Sequence, residues 1–241
     1  MRFILRFFST PVFSSFLLLL LLSAQFVSAQ PTGSWTSITS YNTVNSITSD
    51  DDNTIWGVSN GGLFSVSESA FDKQLTPVDG MYRLDGTEVI YIPCIHSIAI
   101  GYLDGMIDLY SLEDDFFKRI EDILRVQVFT AKQINDFELI DDELYVATDF
   151  GIVVYDTESF LVSNSYTKIG GFDRGTPVLD ITIQEEMIYL GTQQGVARAN
   201  VGDNLSIESS WIVYDEQNGL PTGNIFSVIV HNGRFLASSV D

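Results

Sequence analysis

The residues that could do chemistry are carboxylates, one thiol and two imidazoles. Asp104 with Asp108, and Asp136 with Glu138, are carboxylate pairs at short spacing. Two carboxyl groups about 5–10 Å apart in one cleft are what glycoside hydrolysis requires. The sequence gives no reason for these pairs to meet in a common funnel, and most of the acids fall at turns. Cys94 and His96 stand two apart and would share a strand face. A zinc site needs further ligands, and only His231 remains, with no second cysteine. The run Asp50-Asp51-Asp52 offers the hard oxygens that calcium prefers, without the glycine and distal glutamate of an EF-hand loop. No Ser-His-Asp set is available with histidine only at 96 and 231. The sequence therefore predicts no catalytic, cofactor-binding or metal-ligating residue and no cofactor. It predicts a protein that is not an enzyme and acts by holding surfaces.

The elements that carry these residues are strands. Ile134 to Ser159 alternates polar and apolar residues, breaks at Asp141-Asp142, resumes from Leu144 to Thr148, turns at Asp149-Phe150-Gly151 and runs on through Tyr155. Period-2 alternation between turn residues is the pattern of half-buried strands in a meander. The same pattern recurs with Gly62, Gly105, Gly151 and Gly195 at one position, about 45 residues apart, and a further copy opens at Ile225. Gly151 is expected at positive φ, where a Cβ is penalised. Ser59, Thr148, Thr192 and Ser239 stand three before the glycine position, with Tyr102 as the exception. Trp56, Tyr145 and Tyr189 are expected at equivalent places, packed between sheets. At the Asp50 turn the other copies carry Asp141-Asp142, Glu185-Glu186 and His231-Asn232-Gly233, so the acidic run reads as a solvated hairpin turn.

This repeat length and content predict an all-β fold, a β-propeller of four-stranded antiparallel blades. Four to five blades are expected between residues 30 and 241, an incomplete ring that is a fragment of a longer chain. The segment Thr36 to Tyr41 reads as a strand of a blade completed elsewhere. Phe116 to Val128 has some helical spacing but stands where an outer strand belongs, and both readings stay open here. Thr87 to Cys94 reads as an inner strand that ends or bulges at Pro93.

Composition restricts the partners. Against 12 basic residues stand 32 acidic ones, a net charge of −20. Such a surface repels nucleic acid and anionic lipid. A single cysteine rules out an intrachain disulfide, so the core must hold the fold. At the N-terminus, Arg2 and Arg6 precede the apolar run from Phe16 to Leu22, and Val27-Ser28-Ala29 is a small-residue cleavage site. Residues 1–29 thus read as a secretory signal peptide. No later stretch is long and apolar enough to span a bilayer, which places the mature segment in the periplasm or at the cell surface.

Two resemblances attach to particular residues. The stretch from Ser209 to Ser239, with a Trp strand, a Gly-Leu-Pro turn and an alternating strand pair, resembles the two-component regulator propeller repeat. Over Val44 to Trp211, segments such as IHSIAIGYLDGMIDLY and KQINDFELIDDELYVATDFGIVVYDTES are similar to the N-terminal propeller of the PorZ family, cell-surface components of type IX secretion in Bacteroidota. The resemblance implies a non-enzymatic scaffold with protein partners at the outer membrane, among them secretion or sortase components. That family's C-terminal lipopolysaccharide-recognising domain has no counterpart here, so no ligand-binding residue carries over. The alternative is the extracytoplasmic sensor propeller of a hybrid two-component system.

Overall fold

The computed structural model describes residues 38–68, 70–220 and 223–239. The expected signal peptide and Trp35 lie outside these residues. Strand follows strand in sequence order: β1 (Val44–Ser49), β2 (Ile55–Ser59), β3 (Gly62–Ser67) and β4 (Ala70–Leu75) form a first four-stranded antiparallel sheet. The second holds β5 (Gly86–Ile92), β6 (Ser97–Tyr102), β7 (Ile107–Ser111) and β8 (Phe116–Ile120). The third holds β9 (Ile134–Ile140), β10 (Glu143–Thr148), β11 (Gly151–Asp156) and β12 (Val162–Tyr166). The fourth holds β13 (Val178–Gln184), β14 (Met187–Thr192), β15 (Gly195–Asn200) and β16 (Ile212–Tyr214). A hairpin of β17 (Ile225–His231) and β18 (Arg234–Ser239) begins a fifth. Four blades and a half are arranged around an axis and the ring is open, as an incomplete propeller.

Burial follows from the sequence alternation. The middle strands of each blade are covered on both faces and are apolar almost throughout, as in Leu144–Ala147 and Ile152–Tyr155. Outer strands such as β12 (VSNSY) are polar and exposed. The core is therefore a series of slabs between blades. One slab joins Trp56 and Val58 of the first blade to Val89, Ile98 and Ile100 of the second. The next joins Ala99 and Leu109 to Ile134, Phe137 and Val146. The third joins Tyr145, Ala147 and Val154 to Ile181, Ile188 and Leu190.

Two sequence expectations are resolved against one of their readings. Phe116–Ile120 is the strand β8, because it pairs antiparallel with β7 from Ile107 opposite Ile120 to Ser111 opposite Phe116; Phe117 and Ile120 are buried while Lys118 and Arg119 stay exposed. The helical spacing continues only into turns. Ile38 to Tyr41 is not a strand; the first pairing begins at Val44, where β2 offers a partner. Pro93, which has no amide to donate, ends β5 and opens a short 3-10 turn, as its chemistry requires.

Candidate interaction surface

The turns between second and third strands share one hydroxyl clip. Thr148 Oγ1 donates to the Gly151 carbonyl at 2.9 Å and accepts the Phe150 amide at 3.2 Å. Thr192 does the same with Gly195 (2.8 Å) and Gln194 (3.1 Å), and Ser59 with Gly62 (3.3 Å) and Gly61 (3.0 Å). All three hydroxyls are buried, so an unpaired one would be costly. Gly62, Gly151 and Gly195 pair across the hairpin with these residues and have φ of 116°, 128° and 142°. A Cβ at Gly151 would lie 2.2 Å from the Tyr166 carbonyl oxygen.

Gly105 departs from this set. It has φ 88°, but the turn is one residue longer: the Tyr102 amide bonds to the Met106 carbonyl at 3.2 Å, and Gly105 sits inside the loop rather than at the start of β7. The cause is Tyr102, which has no short hydroxyl to clip a two-residue turn. Its phenol donates instead to Asp108 Oδ2 at 2.8 Å. That carboxyl is fully buried, also accepts the Tyr82 amide at 2.6 Å, and has the Arg119 Nε 3.9 Å away. Burial raises its pKa above the usual carboxylate range. Asp104 lies apart in the turn, bonded to the Tyr82 phenol and beside Arg83. Asp104 and Asp108 therefore both hold the connector between the first and second blades, through the phenol and the amide of Tyr82.

Trp56, Tyr145 and Tyr189 stand in one cross-blade position on the second strand, opposite Thr48, Glu138 and Thr182, and all are buried. The second blade fills this position with Ala99, a residue the aromatic pattern did not reveal. The Trp56 indole donates to Asp50 Oδ2 at 2.8 Å, and Tyr145 donates to Glu143 Oε2 at 3.1 Å. Burial pushes the Tyr145 phenol up, helped by Glu143.

The inner strands carry the feature that sequence reasoning missed. Each has an irregular pairing after its first residue, at Asn45, Thr87, Asn135, Leu179 and Phe226. At three of these points the side chain reaches the next blade: Asn45 Nδ2 donates to the Gly86 carbonyl (2.7 Å), Thr87 Oγ1 to Ile134 (2.8 Å) and Asn135 Nδ2 to Val178 (2.8 Å). Acceptors reach across in the same direction. The Tyr91 amide bonds to Thr48 Oγ1, that of Ile181 to Asp136 Oδ2, that of Ile183 to Glu138 Oε1, and that of Val228 to Asp180 Oδ2. Side chains thus replace a backbone ladder between blades. Glu88, Asp136 and Glu138 lie along this inner lining, and burial raises the pKa of each. Asp180 adds repulsion to Asp136 as well. Asp136 and Glu138 accept backbone amides of the next blade, and Glu88 accepts the Ser46 hydroxyl of the preceding blade and the amide of Val89, a structural use; Asp104 and Asp108 lie apart from them.

At the two ends of the blades the charge differs sharply. One end bears the turns between first and second strands and between third and fourth. It presents Asp50 to Asp52, Glu113 to Asp115, Asp141, Asp142, Glu158, Glu185 and Glu186, with no lysine or arginine in any of these turns. The opposite end mixes its acids with Arg83, Arg125, Lys132, Lys168 and Arg174. On the acidic end Asp50 Oδ1 accepts the amides of Asp52 (3.0 Å) and Thr54 (2.9 Å), so the acidic run caps its own turn. Cys94 and His96 do not act together here. The Cys94 thiol donates to Thr157 Oγ1 at 3.3 Å, whereas His96 Nδ1 lies 2.8 Å from the Tyr91 phenol, which donates to Asp51 Oδ2. Burial and Asp51 push the Tyr91 phenol up to about 12. Between the third and fourth blades this end opens into a depression of about 440 Å³ lined by Asp141, Asp142, Glu143, Tyr145 and Glu186. Among the described residues no helix is long and apolar enough to cross a membrane, and no group of three or more His, Cys, Asp or Glu could hold a metal ion.

Comparison with known proteins agrees with this architecture. Solved structures with the same fold include PorZ, an essential surface component of the type IX secretion system of Porphyromonas gingivalis. It is 19% identical, with a TM-score of 0.67, over 85% of this chain and 26% of that one. The extracellular domain of the putative hybrid two-component system BT4673 from B. thetaiotaomicron is 15% identical, with a TM-score of 0.63, over 86% and 27%. This chain thus spans about a quarter of the length of the solved structures it matches. No curated protein sequence matches it. The family model of the type IX secretion PorZ N-terminal β-propeller domain matches residues 55–212, and the chain belongs to that family.

Proposed function

We propose that this propeller is a non-catalytic scaffold of a type IX secretion assembly, exported by the signal peptide at residues 1–29 and displayed at the outer surface. The observation that carries the reading is the family match over residues 55–212. The charge asymmetry between the two ends supplies a docking face. The acidic turns fit a basic or cation-bridged protein surface and repel a lone anionic glycan. The inner carboxylates are committed to blade seams, and this supports an absence of turnover. A pull-down from the native outer membrane with the complete protein tests the reading. Secretion or sortase components are expected in the eluate, released as salt rises because the contact is between exposed charges.

The second reading is a sensor propeller of a hybrid two-component system, favoured by the likeness to the BT4673 extracellular domain. Recovery of a histidine kinase complex, with no secretion component, would decide for it.

A further inference from the structure

Of the outer strands β4, β8, β12 and β16, only β8 carries a net charge. It reads FFKRI, with Lys118 and Arg119 side by side and no acid, whereas β12 and β16 are uncharged and β4 sets Asp72 beside Lys73. Two adjacent cations thus stand on the outer edge of a chain whose net charge is −20. β8 pairs with β7 along one edge, and no described strand lies along the other. Two depressions adjoin it. One, of about 540 Å³, is lined by Phe116, Phe117, Lys118 and Arg119 with Gly80 of the connector; the other, of about 350 Å³, by Arg119, Ile120 and Arg125. Lys118 makes no hydrogen bond or ion pair among the described residues. Arg119 is loosely held, with one guanidinium nitrogen 3.4 Å from the Gly80 carbonyl and Nε 3.9 Å from Asp108, which leaves further donors of its fork free. Of the acids in these depressions, Asp79 accepts the Thr76 amide and hydroxyl, Asp115 holds Lys73, Glu121 holds Arg125, and Asp122 lies beyond the end of the strand. Phe116, at the start of the strand, is 64% exposed.

We infer that the free edge of β8 is a docking site for an extended acidic segment of a partner protein, which adds to this four-stranded blade as one more strand. Backbone groups of an open edge supply the pairing, and the side chains beside them supply the choice. Lys118 and Arg119 are consecutive, so they point to opposite faces of the strand, and an added strand meets them with two consecutive carboxylates. Phe116 shares the face of Lys118 and takes an apolar residue two places beyond the acids. In the antiparallel sense the segment reads acid, acid, any residue, apolar. The same charges exclude other occupants. A second copy adding through its own β8 sets Lys118 against Lys118, and like charges directly opposite repel. A basic segment is repelled in the same way. This edge is opposite in sign to the acidic turns, so its partner differs in chemistry from theirs.

Titration of the full-length protein with a short fluorescent peptide tests this, one that sets two glutamates and, two residues on, a phenylalanine among threonines. The peptide binds, and Lys118→Glu weakens binding about tenfold or more. Arg174→Glu, the same change of net charge at an exposed turn residue, leaves binding unchanged. Methylating the peptide's backbone nitrogens removes its ladder donors, keeps its charges and abolishes binding. Absence of binding overturns the inference, because Lys118 and Arg119 then only guard the edge. Equal loss in the two variants, which means attraction by net charge alone, overturns it as well. So does retention of binding by the methylated peptide, which means contact without strand addition. Self-association that Lys118→Glu abolishes means that a second copy fills the edge, and overturns it too.

Discussion

Asp136 Oδ2 on β9 lies 2.7 Å from the amide nitrogen of Ile181 on β13, a bond between two blades that share no strand pairing. The other carboxylate oxygen accepts the Phe137 amide at 2.8 Å. Asp136 therefore fixes the angle of its own strand and the seat of the next.

Replacing Asp136 by Asn leaves one of those two amides facing an NH2 group and costs about 1–2 kcal/mol. The deficit depends on pH. Burial raises the folded-state pKa of Asp136 above its unfolded value, about 3.9. Its contribution is then fully present below that value and is lost as pH rises through the folded pKa. The difference in melting temperature between wild type and Asp136→Asn is expected to be largest in acid and to narrow toward pH 8. A difference that widens with pH refutes this assignment.

Gly151→Val is expected to destabilise far more than Gly171→Val. At Gly151 the backbone is left-handed (φ 128°) and a Cβ would meet the Tyr166 carbonyl at 2.2 Å, whereas at Gly171 the nearest neighbour is 4.0 Å away. The first change costs about 3 kcal/mol or more, from strain and displacement of β12. The second stays within about 1 kcal/mol. Urea denaturation of the two variants separates them.

Tyr145→Ala empties a position that is buried between the third and fourth blades and costs about 3–4 kcal/mol. Tyr145→Phe keeps the ring and loses only the bond to Glu143, about 1 kcal/mol. Equal losses in the two variants would mean that the ring does not fill the slab.

Thr148→Val keeps shape and removes the hydroxyl clip. The Gly151 carbonyl and Phe150 amide lose their side-chain partner in a buried turn, at a cost of about 1–3 kcal/mol. Thr148→Ser restores most of it. Thermal melts of the pair distinguish loss of the clip from loss of the methyl group.

Much of the fold could be read from the sequence because its signals are local. A period-2 alternation with a glycine at a fixed place reports a hairpin whatever surrounds it, so the strands about Gly62, Gly151 and Gly195 were legible. Gly105 misled because one inserted turn residue preserves the sequence rhythm while moving the glycine off the ladder. Only the Tyr102 exception signalled it. The seam was illegible for a different reason. Asn45, Thr87 and Asn135 look like ordinary strand polar residues, and their partners lie 41 to 47 residues away, a full blade on. The acids at 136 and 138 were visible as a pair, but their amide partners belong to another repeat. The Asn, Thr and Asn at the second residue of the first three inner strands were a signal that could have been found.

The side-chain seams also protect the protein against itself. A row of unpaired amides and carbonyls along an inner strand is a template for adding another chain's strand. On β9 that row is guarded by Asp136 and Glu138, whose oxygens already hold the next blade's amides. A second molecule approaching the same edge would bring its own carboxylates against these, with no cation among them. Each seam is thus selective for a neighbouring blade and hostile to a stacked copy of itself, and the chain can repeat one strand pattern many times without inviting fibrillar growth.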